Sequence, residues 1–119
     1  MASSPVDRSA LLDTVDGDPD FLETLVHTFL DDCPTYLDAI RAAVREGDAD
    51  ELAQESHGLK GAVGLLHARP ARRAAKRLEE CGREDNLDEA PDALDALANE
   101  LDRLRPALRE IVEDVQADG

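Results

Sequence analysis

The sequence predicts an all-α protein: an antiparallel four-helix bundle with a short extra N-terminal helix. Three observations carry that expectation. The chain holds 18 Ala and 17 Leu against 13 Val, Ile and Thr together, a balance that favours helix over strand and leaves little material for a sandwich, a barrel or a doubly wound sheet. Apolar residues recur at steps of three and four along four long stretches. The connections between those stretches are short, so successive helices should pack side by side and antiparallel. At 119 residues, one domain spanning 1–119 is expected, with 1–6 and 116–119 frayed.

The elements follow in order. Asp7 to about Val15 forms the short helix, with Ala10, Leu11 and Val15 inward. Asp18 then caps a helix that has Pro19 in its first turn, where a missing N–H costs nothing. Its apolar positions, 22, 25/26, 29, 33, 36/37, 40 and 43/44, continue straight through Pro34. The reading is one helix kinked there, or two nearly coaxial pieces, ending at Gly47. Asp48 with Glu51 three positions on reads as a capping box. The helix it opens has Leu52, Ser56, Leu59, Val63 and Leu66 on its core side. Another starts near Arg69-Pro70 and runs to Gly82, with Ala71, Ala74/Ala75, Leu78 and Cys81 inward. The last begins near Pro91 and shows Leu94, Leu97, Leu101, Leu104, Leu108, Ile111 and Val115, a heptad-like stripe interrupted by Pro106. One chain already supplies enough helices to cover that stripe, so a monomer is expected rather than a coiled-coil dimer.

Charge and cysteine usage exclude several classes of function. A net charge of −15 repels nucleic acid and anionic membrane surfaces over about a Debye length. The apolar runs are too short to span a bilayer. Residues 1–7 lack the basic and apolar regions of a signal peptide, and two cysteines, Cys33 and Cys81, make no disulfide framework. A cytoplasmic protein with buried free thiols is expected, and the opening Met1 with its short N-terminal stretch suits a free-standing one.

The stretch Ser56-His57-Gly58-Leu59-Lys60-Gly61-Ala62-Val63-Gly64 holds three of the seven glycines, each costing about 0.8–1 kcal/mol relative to Ala in a helix interior. On a helical wheel Gly61, Gly64 and Ala53 fall within about 40° of His57 and Lys60 about 60° away, whereas Leu52, Leu59, Val63 and Leu66 lie about 120–180° round. His57 therefore points away from the core, in a lane cleared by Ala53, Gly61 and Gly64. An imidazole ordinarily titrates near pH 6.5, so much of it is a neutral nucleophile at about pH 7. It could attack an activated phosphoryl group without a separate base, and the Lys60 ammonium at i+3 could neutralise a phosphoryl oxygen. No carboxylate lies between Glu55 and Glu79, and no glycine-rich nucleotide loop occurs. Such a site receives and donates a phosphoryl group but does not take one from ATP. His27, His67 and the two cysteines lack ligand spacing, so no metal is expected.

At these residues the chain resembles the histidine-containing phosphotransfer (HPt) domains of two-component phosphorelays. The motif His-x-Leu-Lys-Gly reads His57-Gly58-Leu59-Lys60-Gly61. Phe29-Leu30-Asp31-Asp32-Cys33-Pro34, Gly47-Asp48 and Leu78-Glu79 resemble the family's flanking segments, and the likeness covers roughly residues 8–112. It implies a helical bundle without autonomous catalysis. A receiver-domain phospho-aspartate, or a histidine kinase, phosphorylates its histidine, which passes the group to a response-regulator aspartate. By match, His57 is the phosphoacceptor, Lys60 the stabilising cation, and Gly61 and Gly64 the clearance for the receiver. The chain needs no cofactor of its own, because Mg²⁺ belongs to the receiver. At His67 it departs from the family, which usually has Gly there.

Two features stay open at the level of sequence. From Ser56 to Leu78 there are six bases and no acid, leaving −21 for the other 96 residues. Those bases are either a solvated face balancing acids on neighbouring helices or a rim that steers an acidic receiver pocket, with Arg72 and Lys76 as the rim candidates. The alternative to a phosphocarrier is a helical module that docks receivers or kinases without carrying phosphate.

Overall fold

The computed structural model describes residues 4–118. Five helices follow in order: α1 (Arg8–Thr14), α2 (Pro19–Glu46), α3 (Ala49–Leu65), α4 (Arg69–Arg83) and α5 (Ala90–Asp118). No strand occurs among the described residues. Helices α2 and α3, α3 and α4, α4 and α5, and α5 and α2 pack against each other, which closes a four-membered ring. Tyr36 meets Gly58, Arg72 meets Gly64 and Gln116 meets Glu23, so each of these neighbouring pairs is antiparallel.

Aspartates cap the starts of α1, α2 and α3. Asp7 accepts from the Ala10 N–H, Asp18 from those of Asp20 and Phe21, and Asp48 from that of Glu51 at 3.1 Å, each pairing amides that a helix start leaves without partners. The ends share one device. After α1, α2, α3 and α4 the chain turns left-handed at Asp16, Gly47, His67 and Asp85, respectively. The next N–H then bonds back to the carbonyl of Leu12, Ala43, Val63 or Cys81, respectively, at 2.9–3.0 Å. This is the Schellman arrangement, usually built on glycine, and here glycine occupies only one of the four positions.

The core follows the predicted stripes closely. Leu22, Val26, Phe29, Cys33, Leu37, Ile40 and Ala43 of α2 are buried, as are Leu52, Ser56, Leu59 and Val63 of α3 and Leu66 just after it. Helix α2 runs unbroken through Pro34, and α5 through Pro106. Both prolines are exposed, so the carbonyl each ring displaces lies on the wet face of its helix. In α5 the buried set is Ala90, Ala93, Leu97, Leu101, Leu104, Leu108, Ile111 and Val112, with Leu94 and Val115 half-buried. The ideal heptad drifts because an α-helix has 3.6 rather than 3.5 residues per turn. The stripe is covered within the chain.

Two expectations at the ends are corrected. Val6, expected in a frayed segment, is buried beside the core, and the Asp7 N–H bonds the His67 carbonyl at 2.9 Å. Residues 116–118 continue α5, and Gln116 bonds Glu23. The reason is helix length. With 28 and 29 residues, α2 and α5 outrun α3 and α4, which have 17 and 15. Helix α1 and its flanks fill the space beyond the shorter pair with Leu11, Val6 and Val15, and Arg8 pairs with Asp114 on α5. Residues 1–3 and 119 lie outside the described residues.

Candidate functional site

The site forms on the seam between α3 and α4. That seam is tight because Gly82 lies against the α3 backbone: a Cβ there would sit 2.6 Å from the Ala53 nitrogen and 2.7 Å from the Ala49 carbonyl oxygen. Glu79, one turn earlier on α4, is thereby brought under the α3 surface and is buried. Its carboxylate carries three partners. Oε2 is 2.8 Å from His57 Nδ1, Oε1 accepts from Lys60 Nζ at 2.6 Å, and Arg83 donates to Oε2 from Nε and Nη2 at 3.0 and 2.6 Å.

The electrostatics fix which ring nitrogen of His57 carries a proton towards Glu79. Burial on its own would push the Glu79 carboxyl up. Hydrogen bonds from Lys60, Arg83 and His57 outweigh that and hold it at about 2. Near neutral pH the carboxylate can therefore only accept, so His57 Nδ1 carries the proton facing it. In the neutral ring Nε2 then holds the lone pair. The His57 side chain is 62% exposed, so the nucleophilic atom stands on an open surface while the opposite edge of the ring is anchored. A shallow depression lined by Asp50, Ala53, Gln54, Gly82 and Arg83 borders it.

The other sequence candidates divide. Gly61 meets nothing within 4 Å of where a Cβ would be and leaves open space beside His57. Gly64 does not: the Arg72 side chain lies 3.4 Å from that position and fills the expected clearance. Ala53 is half-buried and its small side chain faces Gly82, so its size serves helix packing as well as the lane. Gly58, about 100° from His57 on the wheel, receives the Tyr36 ring, with a Cβ position 3.0 Å from it. Lys60 is only 20% exposed and is tied to Glu79, a more fixed cation than a solvated lysine. Lys76 is exposed.

The sequence reading missed Glu79, Arg83 and the role of Gly82. Glu79 stood there only as the end of the acid-free window and in a flanking segment, because the carboxylate that matters reaches His57 from across the seam. A signal was present: Ala71, Ala75 and Glu79 follow at steps of four, which puts the acid on the edge of the inward stripe of α4. His67 is now explained as well. It occupies the left-handed position that ends α3, with φ of 58°, where glycine is favoured. Its Nε2 lies 2.7 Å from Thr14 Oγ1, and its carbonyl accepts from Asp7. The side chain ties α1 to the α3–α4 turn. Both cysteines are buried and free, and burial pushes their thiols up. No helix among the described residues is long and apolar enough to cross a membrane.

Comparison with known proteins gives the family and the fold. Residues 24–107 match the Hpt domain family. The fold matches the crystal structure of histidine-containing phosphotransfer protein B (HptB) from Pseudomonas aeruginosa PAO1 with a TM-score of 0.78 and 25% sequence identity, covering 95% of this chain and 98% of that one. No curated protein sequence matches.

Proposed function

Since the chain belongs to the Hpt domain family, whose members carry phosphoryl groups in two-component signalling, we propose that it is a phosphorelay intermediate with His57 as its phosphoacceptor. One observation carries the reading: His57 is anchored through Nδ1 on a buried, ionised Glu79 while Nε2 faces solvent. In the forward step the Nε2 lone pair attacks the phosphorus of a receiver's aspartyl phosphate. The P–N bond forms, the P–O bond to the aspartyl carboxyl breaks, and a free carboxylate leaves. The product is an N-phosphoimidazolium whose proton stays on Nδ1. Glu79 stabilises that cation and so keeps the imidazole a good leaving group for the return step to another receiver's aspartate. Lys60, one turn along, neutralises the phosphoryl oxygens. The receiver supplies Mg²⁺, and the chain acts in the cytoplasm as a monomer that carries rather than catalyses.

The test is incubation with a phosphorylated receiver domain, following an acid-labile, base-stable label. Label is expected on the wild-type chain and on Lys60→Ala at a reduced rate, and none on His57→Gln. Label persisting in His57→Gln removes the assignment. Receiver binding without any label on the wild type favours the docking module instead.

A further inference from the structure

The four outer bases of α4, Arg72, Arg73, Lys76 and Arg77, are all exposed. None has an ion pair or hydrogen bond to an acid among the described residues. This occurs in a chain with 28 acids and 13 bases. Of the bases between Ser56 and Leu78, only Lys60 and Arg69 find carboxylates, Glu79 and Asp7. The face is therefore not balancing acids on neighbouring helices. Its like charges sit at i,i+3 and i,i+4, spacings at which they repel.

The four are not equivalent. Taking Ala71 as the inward direction of α4, the 100° step puts Glu79 about 80° round, Arg72 about 100° and Lys76 about 140° on the same flank, with Arg73 and Arg77 about 200° and 240° round, on the back. The Glu79 contact with His57 identifies that flank as the one beside the phosphoacceptor. The Arg72 stem also crosses onto α3 over Gly64. Beside Gly64, Leu65 is 53% exposed. It is eight residues from His57, about two turns along and about 80° round α3 on the flank away from Lys60, and so borders the exposed lane.

We infer that a receiver docks astride α3 and α4, its acidic rim held by Arg72 and Lys76 and its edge seated on Leu65. The inference rests on the phosphocarrier reading above. The charge complementarity follows from the reaction itself: a partner presenting an aspartyl phosphate and the acids that hold a divalent cation is anionic where it meets His57. The remaining surface of this chain, at −21 outside the basic window, repels that partner and leaves one side for productive encounter.

The experiment uses the receiver domains of the source organism and measures second-order transfer to His57 against ionic strength. The expected result for Arg72→Glu/Lys76→Glu is a loss of about tenfold or more at low salt and a flattened salt dependence. Arg73→Glu/Arg77→Glu should lose clearly less, and Leu65→Asp should slow transfer at every salt concentration. Thermal melts matching wild type report that the variants are folded, and labelling of His57 by phosphoramidate, a small donor that needs no docking, should persist in all of them. Equal receiver rates and salt slopes in wild type and Arg72→Glu/Lys76→Glu, with phosphoramidate labelling intact, overturn the docking inference alone. A wild-type chain that neither exchanges phosphoryl groups with any receiver nor binds one overturns both readings. Duplex DNA or anionic vesicles bound through Arg72 and Lys76 overturn it in favour of a different polyanion.

Discussion

Helices α2 and α5 meet the core with large side chains, among them Leu22, Phe29, Ile40, Leu97, Leu101, Leu104 and Leu108. Helix α4 buries the small residues Ala71, Ala75 and Gly82, and Gly82 lies directly against α3. The first pair is long and held by dispersed apolar burial. The second is short and close, and only the second carries chemistry. Large side chains keep helix axes apart, so a polar group on one helix falls short of the other's outer face. An Ala/Gly seam lets a glutamate on α4 reach past its own helix to an imidazole and an ammonium on α3.

The largest expected difference between the two pairs is in stability against function. Leu101→Ala should cost about 3 kcal/mol in chemical denaturation yet leave phosphoramidate labelling of the folded protein unchanged. Gly82→Ala should cost about 2 kcal/mol by overpacking and also slow labelling, because the seam must open and draw Glu79 away from His57. Equal labelling in the two variants would separate the seam from the site.

The next effect is in acid. The Glu79 carboxyl, ordinarily near 4.5, is held at about 2. Its pairing therefore contributes fully above about pH 4.5 and is lost as the pH falls towards 2. About 2 kcal/mol is expected, less than the whole shift implies because His57 and Arg83 are largely exposed. In Glu79→Gln the loss of stability between those pH values should be smaller by that amount, whereas substitutions in the α2–α5 core leave it in place.

The smallest effect concerns the two ends of the α3–α4 pair. Asp85 and His67 occupy equivalent left-handed positions, but only His67 carries a side-chain bond across to another helix, to Thr14. Asp85→Gly should stabilise by about 0.5 kcal/mol, the relief of the left-handed strain less the entropy glycine adds to the unfolded chain. His67→Gly should gain nothing net, since it also loses the tie to α1. Thermal melts of the two variants give the comparison directly.

The sequence alone determined the helix count, the start signals, the buried stripe of each helix and the exposure of His57. These depend on spacing within one helix, where the 3.6-residue repeat converts order into direction. The family likeness was also legible there, because His57, Lys60 and Gly61 are near neighbours. Contacts between helices were decided only by the tertiary structure. Glu79 is 22 residues from His57, and nothing in either segment fixes how closely two helices approach until Gly82 meets Ala49 and Ala53. The same holds for Arg72 over Gly64, which turned an expected clearance into a cation beside the site, and for Val6, which is buried only because α3 and α4 end before α2 and α5 do. Direction within a helix is a local property of the chain; which atoms then meet depends on the distance and register between helices, which side-chain volume sets for the bundle as a whole.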